Sequence, residues 1–264
     1  MADITKKSNT DVSNILDDIL ETAGEGVDYE TSELQIPFIR IMQAMSPQKK
    51  KNDISYIKGS EDGDIFNTVT GQLWKGEEGI KVIPCYQETK HLEFIPREGS
   101  SGGGFVGELP AGDPNILKTT RQGAKETLPN GNELVKSDQH YCMVLNKDGS
   151  AQPAIVDMKS TQLKISRRWK TQIAMQKIPD KNGVMRTPAL FSTIWHLKTV
   201  EERKDNYTYF NYTIEKVGLV KDKNLFIDAK NFRSSVESGA AKAVSEEVIT
   251  DLSGLDNASD EAPF

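Results

Sequence analysis

Rings and cations alternate best in HLKTVEERKDNYTYFNYTIEK, residues 196–216. That mixture suits one kind of chemistry: a nucleic-acid strand is held by cations on its phosphates and by bases stacked on aromatic faces, each stack contributing about 1–3 kcal/mol. If the two flanking runs form a hairpin, Tyr207 and Tyr209 share a face, and Phe210, Tyr212 and Ile214 take the other. The more apolar set belongs in the core, which leaves Tyr207 and Tyr209 as stacking candidates and Lys198, Arg203 and Lys204 as phosphate contacts. The same tyrosines would also serve as cross-strand pairs on a half-buried sheet. Arg167, Arg168 and Lys170, Lys49, Lys50 and Lys51, and Phe105 are further candidates for strand binding.

Other chemistries find less support. Cys85 and His91, with His140 and Cys142, make a Cys-x5-His and a His-x-Cys; His140 and Cys142 would point to the same face of a strand, but the spacing matches no standard zinc pattern, and no metal or cofactor is expected. The chain has three scattered histidines and no HExxH, GxSxG or nuclease-like carboxylate cluster, so no enzyme is expected. Asp62 and Asp64 in SEDGDIF read as turn residues.

Positioning such residues calls for a sheet. GIKVIPCYQ, HLEFIP, QHYCMVLN, PAIVDM, ALFSTIWHLKTV and NYTYFNYTIEKVG have the apolar alternation of short strands, and GDIFNTVTGQLWKG adds a hairpin around Thr70 and Gly71. IPFIRIMQAM before them reads as a first strand or short helix. STQLKISRRWKTQIAMQK is a helix whose Ile165, Trp169 and Ile173 form the inward stripe, and DKNLFIDAKNFRSSVES puts Leu225, Phe226, Ala229, Phe232 and Val236 on one face of another. The stretch from Gly99 to about Ser137, with GSSGGGFVGELPAGDPN, reads as one long mobile flap with Phe105 as its large side chain. Trp74, Trp169 and Trp195 read as core. The expected architecture is mainly β: an OB-fold-like Greek-key barrel with one inserted helix, a long Gly-rich loop and a C-terminal helix. A sandwich would give a similar string.

The net charge of -6 hides an uneven distribution. Residues 1–35 carry nine acids against Lys6 and Lys7, and residues 243–264 carry six acids and no base, leaving 31 Lys and Arg against 24 Asp and Glu in between. A basic body thus stands between acidic arms. The expected organisation is an acidic arm over 1–35, a strand-binding domain over 36–238 and a disordered acidic tail over 239–264. In the arm, Val12, Ile15, Leu16, Ile19 and Leu20 share a helical face, capped by Asp11 or Ser13, that could cover a core edge or dock on a partner. The two cysteines make no disulfide framework, no apolar run could span a membrane, and MADITKKSNTDV has no signal-like apolar stretch, so a cytoplasmic protein is expected.

The final NASDEAPF joins Asp260 and Glu261 to Pro263 and Phe264, presenting a ring and several carboxylates as a compact peptide ligand. SDEAPF resembles the acidic, Pro-Phe-terminated tail of bacterial single-stranded DNA-binding proteins. The basic β-rich body with such a tail is similar in layout to phage replication proteins of the T7 type, and IPFIRIMQAMSPQ, GDIFNTVTGQLW and STQLKISRRW look like phage early proteins. The resemblance implies an OB-fold, sequence-independent binding of single-stranded DNA in the host cytoplasm, and recruitment of replication, recombination or repair proteins through Asp260, Glu261, Pro263 and Phe264. The body is much longer than the bacterial domain, so a dimer or monomer is expected in place of a tetramer. The rival expectation is a phage adaptor or inhibitor that docks to host enzymes through its acidic arms without binding DNA.

Overall fold

A single mixed sheet organises the computed structural model, which describes residues 35–96, 103–123, 125–204 and 207–241, together with 15, 19–22 and 25–26. Its strands are β1 (Phe38–Ile41), β2 (Ile65–Asn67), β3 (Leu73–Trp74), β4 (Ile80–Ile95), β5 (Gly104–Leu109), β6 (Thr120–Gln122), β7 (Lys125–Thr127), β8 (Glu133–Leu145), β9 (Ala151–Lys159), β12 (Thr193–Lys204) and β13 (Tyr207–Leu219). A separate ribbon pairs β10 (Ile178–Pro179) with β11 (Met185–Arg186). Two α-helices accompany them, α1 (Leu163–Ala174) and α2 (Lys223–Glu237).

The sheet runs in the order β13-β12-β4-β8-β9-β1-β2-β3, with β5 on β4 and β7 on β8. All of its pairs are antiparallel except β1 with β9, where Phe38 stands opposite Ile155 and Ile39 opposite Val156. The sheet curls into a half-barrel. The Thr199 N–H of β12 donates to Gly76 O, just past β3, at 3.0 Å, so the far end of the sheet returns to β12. Thr199 Oγ1 adds a bond to Gly63 O at 2.6 Å. Gly63 has a φ of 84°, and a Cβ there would lie 2.5 Å from the Phe210 ring, so the close approach requires glycine.

Alternation along the strands gives the sheet two apolar faces. Ile39, Val82, Cys142, Val144, Val156, Leu197 and Tyr212 fill the inside of the curl, where Trp169 of α1 enters between them. Trp169 meets Trp195 edge-on with ring centroids 6.1 Å apart. Ile165 and Ile173 flank Trp169 on the inward side of α1, as the every-fourth spacing requires. On the outside, Ile83, Cys85 and Met143 pack against Ala229 and Phe226 of α2, and Tyr141 and Ile155 pack beside Phe232 and Val236. Asp222 caps α2 by accepting the Leu225 N–H at 2.9 Å. Trp169 and Trp195 are fully in the core, whereas Trp74 is half-buried at its margin.

Two sequence expectations are corrected here. GIKVIPCYQ and HLEFIP are one sixteen-residue strand, β4, because the register shift at Pro84/Tyr86 absorbs the proline without ending the pairing to β8. The part of the expected flap that is described is not a loop: residues 103–137 contain β5, β6, β7 and the start of β8, since the extra length of β4 provides an edge for β5 and β8, and β8 in turn pairs with β7 and its partner β6. Residues 97–102 lie outside the described residues.

Residues 1–34 form a separate unit. Ile15 and residues 19–21 are helical there, with Ile15, Ile19 and Leu20 exposed. Asp11, Val12, Ser13 and Leu16 of the expected helix lie outside the described residues, as do Asp260, Glu261, Pro263 and Phe264. Among the described residues no helix is long and apolar enough to cross a membrane.

Candidate functional site

Hairpin β12–β13 pairs Lys204 with Tyr207, Arg203 with Thr208, Glu202 with Tyr209 and Glu201 with Phe210. Directly opposed residues share a face, so Tyr207, Tyr209, Lys204 and Glu202 lie together. Phe210, Tyr212 and Ile214 turn to the opposite side and pack on the inner core. Tyr207 is 53% exposed and makes no ring contact with another described aromatic side chain. Tyr209 is half-buried and its hydroxyl donates to Glu202 at 2.9 Å.

Glu202 joins this face to α1. It also accepts Lys164 Nζ at 2.9 Å, and Asn211 Nδ2 approaches at 3.4 Å. Burial works to raise the Glu202 carboxyl, but the bonds from Lys164, Tyr209 and Asn211 together outweigh it and hold the pKa below the ordinary glutamate value. Burial and the bond to Glu202 raise the phenol of Tyr209. Arg168 follows Lys164 by one turn on α1, and Arg167 stands beside it; both are exposed and neither pairs with a described residue. The structure therefore brings Tyr207, Tyr209 and Lys204 together with the outer row of α1 through a residue pair, Lys164 and Glu202, that sequence reasoning passed over. The four-residue step from Lys164 to Arg168 was the available signal.

Other candidates lie differently. Arg203 is held by Glu201 on its own strand at 3.0 Å, and Lys198 is half-buried opposite Thr213. Lys49 is paired to Asp62, while Lys50 and Lys51 beside it are exposed. Asp64 is buried in the same turn, accepting the Glu61 N–H at 2.9 Å and pairing with Lys75 at 3.0 Å. Phe105 is not a lone ring on a flap: it sits on β5 edge-on to Phe94, with ring centroids 5.4 Å apart.

Lys170 turns inward to a buried polar chain. Its Nζ donates to Asp138 Oδ2 at 2.6 Å, Ser166 Oγ donates to the same oxygen at 2.7 Å, and Thr89 Oγ1 donates to Oδ1 at 2.7 Å. Ser166 has then used its one proton, so it accepts from His140 Nε2–H, 2.8 Å away. Burial pushes Asp138 up, but the bonds from Lys170, Ser166 and Thr89 prevail and hold its carboxyl at about 2. Burial, helped by the Lys170 charge and opposed by that of Asp138, drives the His140 imidazole down to about 3, so at neutral pH it is uncharged, its ring 4.6 Å from that of Trp169. A serine, a histidine and an aspartate meet here, yet Ser166 and His140 are fully enclosed and Ser166 is hydrogen-bonded to the acid. The chain pins α1 to β8.

The four residues of the conceivable metal pattern are not gathered. His140 and Cys142 face the inner core while Cys85 lies in the outer cluster, and His91 stands further along β4 opposite Lys136. Among the described residues no group of three or more His, Cys, Asp or Glu could hold a metal ion. Burial lifts the Cys85 thiol to about 12 and raises Cys142 as well, so both are unreactive, protonated thiols.

No curated protein and no solved structure matches the chain. A family model does: that of the Pam3 phage gp34-like protein, which matches residues 6–242 and so takes in the whole sheet and both helices. The chain is a phage protein and belongs to the Pam3 phage gp34-like family.

Proposed function

We propose that the chain binds single-stranded DNA without sequence preference, as a binding protein and not an enzyme, in the cytoplasm of the infected cell. The observation that carries this reading is the shared face of β12–β13, where the exposed Tyr207 stands beside Tyr209 and opposite Lys204, with Lys164, Arg167 and Arg168 of α1 continuing from it. Stacking on rings reads only base faces, and cations read only phosphates, so little sequence preference is expected. Lys198, Lys50 and Lys51 extend the contact, Lys49 joins it if released from Asp62, and Arg203, which register puts on the other face of β12, joins it at the strand edge if released from Glu201. The curled sheet, plugged on its inner side by Trp169 of α1, is proposed as an elaborated OB-type barrel.

In the same reading the acidic segment with Asp260, Glu261, Pro263 and Phe264 recruits replication, recombination or repair proteins. The test is a titration of a labelled single strand of about thirty nucleotides, room for at least about two sites of OB type, and of the matching duplex. Full-length chain and a chain stopped near Val244 are compared at low and moderate salt. Salt-sensitive binding to the single strand, kept or strengthened without the acidic segment, is expected. Absence of binding by both proteins sinks this reading in favour of an adaptor that docks through its acidic segments.

A further inference from the structure

The β10–β11 ribbon leaves the body directly after α1 and, apart from the half-buried Ile178 and Asp180, is exposed. Residues 181–187 are all exposed. A two-stranded ribbon without a core is marginal in water, yet this one is held firmly at both ends. At its base, Gln176 is buried and accepts the Thr193 hydroxyl at 3.0 Å. At its tip, Asp180 Oδ1 accepts the N–H groups of Asn182 and Val184 at 2.9 and 3.0 Å, and Oδ2 accepts Arg186 Nε at 2.7 Å. The bond from Arg186, then those from the two N–H groups, hold the Asp180 carboxyl below its ordinary value.

What this fixed arm offers is charge and a small apolar knuckle. Lys177, Lys181 and Arg186 stand against Asp180 alone, which Arg186 already neutralises. Among the described residues Lys177 makes only a hydroxyl bond, to Thr187 at 2.7 Å, and Lys181 has no ion-pair partner. Met175, Val184 and Met185 are 74%, 53% and 57% exposed. The outer row of α1 connects the arm with the tyrosine face, over a helix about 18 Å long. Lys164 begins this row at Glu202, Arg167 and Arg168 continue it, and Met175 ends it where the arm begins. Every ionised group on this ridge that lacks a partner among the described residues is a cation.

We infer that the β10–β11 arm is a second contact for nucleic acid, gripping the sugar-phosphate backbone of the same strand that stacks on Tyr207 and Tyr209. Lys177 and Lys181 meet phosphates, and Val184 and Met185 lie against a sugar or base. The inference rests on the single-strand reading and gives the strand a direction across the molecule: from the β12–β13 face, along the outside of α1, to the arm.

The test is a Lys177→Ala/Lys181→Ala variant of the full chain, titrated with the thirty-nucleotide strand at several salt concentrations beside the wild type. Arg186 is kept because it organises the tip. Two lost phosphate contacts should lower the slope of log affinity against log salt by about 1.4, and the affinity at low salt by on the order of tenfold. A Val184→Ser/Met185→Ser variant should weaken binding while leaving the slope unchanged. Both variants alter exposed side chains, so an unchanged melting temperature accompanies the expected result. Wild-type binding with an unaltered slope and affinity in Lys177→Ala/Lys181→Ala removes the arm from the strand path and leaves the single-strand reading standing. A wild type that binds no strand overturns both.

Discussion

Gln43 and Phe210 exchange two hydrogen bonds across 167 residues of sequence: Phe210 N–H donates to Gln43 Oε1, and Gln43 Nε2 donates to Phe210 O, each at 2.9 Å. The side-chain amide pairs with the β13 backbone as the peptide group of a neighbouring strand would. It ties the segment after β1 to the strand that carries Tyr207 and Tyr209. Gln43→Leu should leave a part-buried N–H and C=O unpaired and lower stability by about 1–3 kcal/mol. Gln43→Glu keeps only the acceptor and should fall between. Denaturant unfolding monitored by circular dichroism measures both, and stability equal to wild type in Gln43→Leu would show that the pair contributes nothing.

Gly76 is where the curled sheet meets itself. A Cβ there would lie 2.0 Å from Thr199 Oγ1 and 2.1 Å from Gly63 O, and the second of these is backbone that cannot swing away. Gly76→Ala should therefore cost about 1–3 kcal/mol or more through forced separation of the Thr199–Gly76 contact. By contrast Gly112→Ala, with nothing within 4 Å of its Cβ but a φ of 91°, should carry only local backbone strain of about 1 kcal/mol. Thermal melts of the two variants side by side rank them, and a reversed order would contradict the closure described.

The uncharged His140 sets a pH dependence. Its pKa lies near 3 when folded and about 6.5 when unfolded. As pH falls below about 6.5 the unfolded chain takes up a proton that the folded chain refuses, so stability declines, by up to about 1.4 kcal/mol per pH unit down to the folded value. Asp138, held at about 2, adds a loss of the same sign below about pH 4, where its unfolded form protonates first. His140→Gln should flatten the profile between about pH 6.5 and 4. A wild-type stability that is level across that window would overturn the assignment of a neutral, buried imidazole.

Tyr207 and Tyr209 divide the binding reading into parts. Tyr207→Ala should weaken binding of the single strand by about 1–3 kcal/mol, or roughly five- to 150-fold, with little change in salt slope. Arg167→Ala/Arg168→Ala should lower the slope by about 1.4 instead. Glu202→Gln removes a carboxylate from that face and releases Lys164, so affinity should rise. Filter binding across a salt series separates these effects. Strand binding that survives Tyr207→Ala and Tyr209→Ala together without loss would move the strand elsewhere on the molecule.

Periodicity made much of this legible. The parity of Tyr207 and Tyr209 against Phe210, Tyr212 and Ile214 gave the two faces of β13, and the fourfold spacing of Ile165, Trp169 and Ile173 gave the inward side of α1. Local signals failed where tertiary pairing extends a strand. Glu88 to Lys90 is polar and reads as a break, yet it pairs residue by residue with Gln139 to Ser137, since Thr89 has Asp138 as its partner. Phe105 looked isolated among glycines because its mate, Phe94, lies on a strand whose length the sequence disguised. The role of Lys170 was hidden for a related reason: a lysine on a cationic helix reads as solvated, and only the buried Asp138 shows that it faces inward.

The single parallel pair, β1 with β9, has a consequence for synthesis. Phe38–Ile41 emerges from the ribosome well before Ile155 and Val156, so this apolar segment must wait for more than a hundred further residues before its second edge is covered. Its antiparallel partner β2 arrives far sooner, but covers one edge alone. Pairings so distant in sequence are slow to form, and an unsheathed strand is open to association with other nascent chains in the interval. The order of translation thus leaves β1 with one open edge until β9 is made, and the β12–β13 hairpin, which follows β9 in the chain, is the last part that can join the sheet, on the far edge of β4.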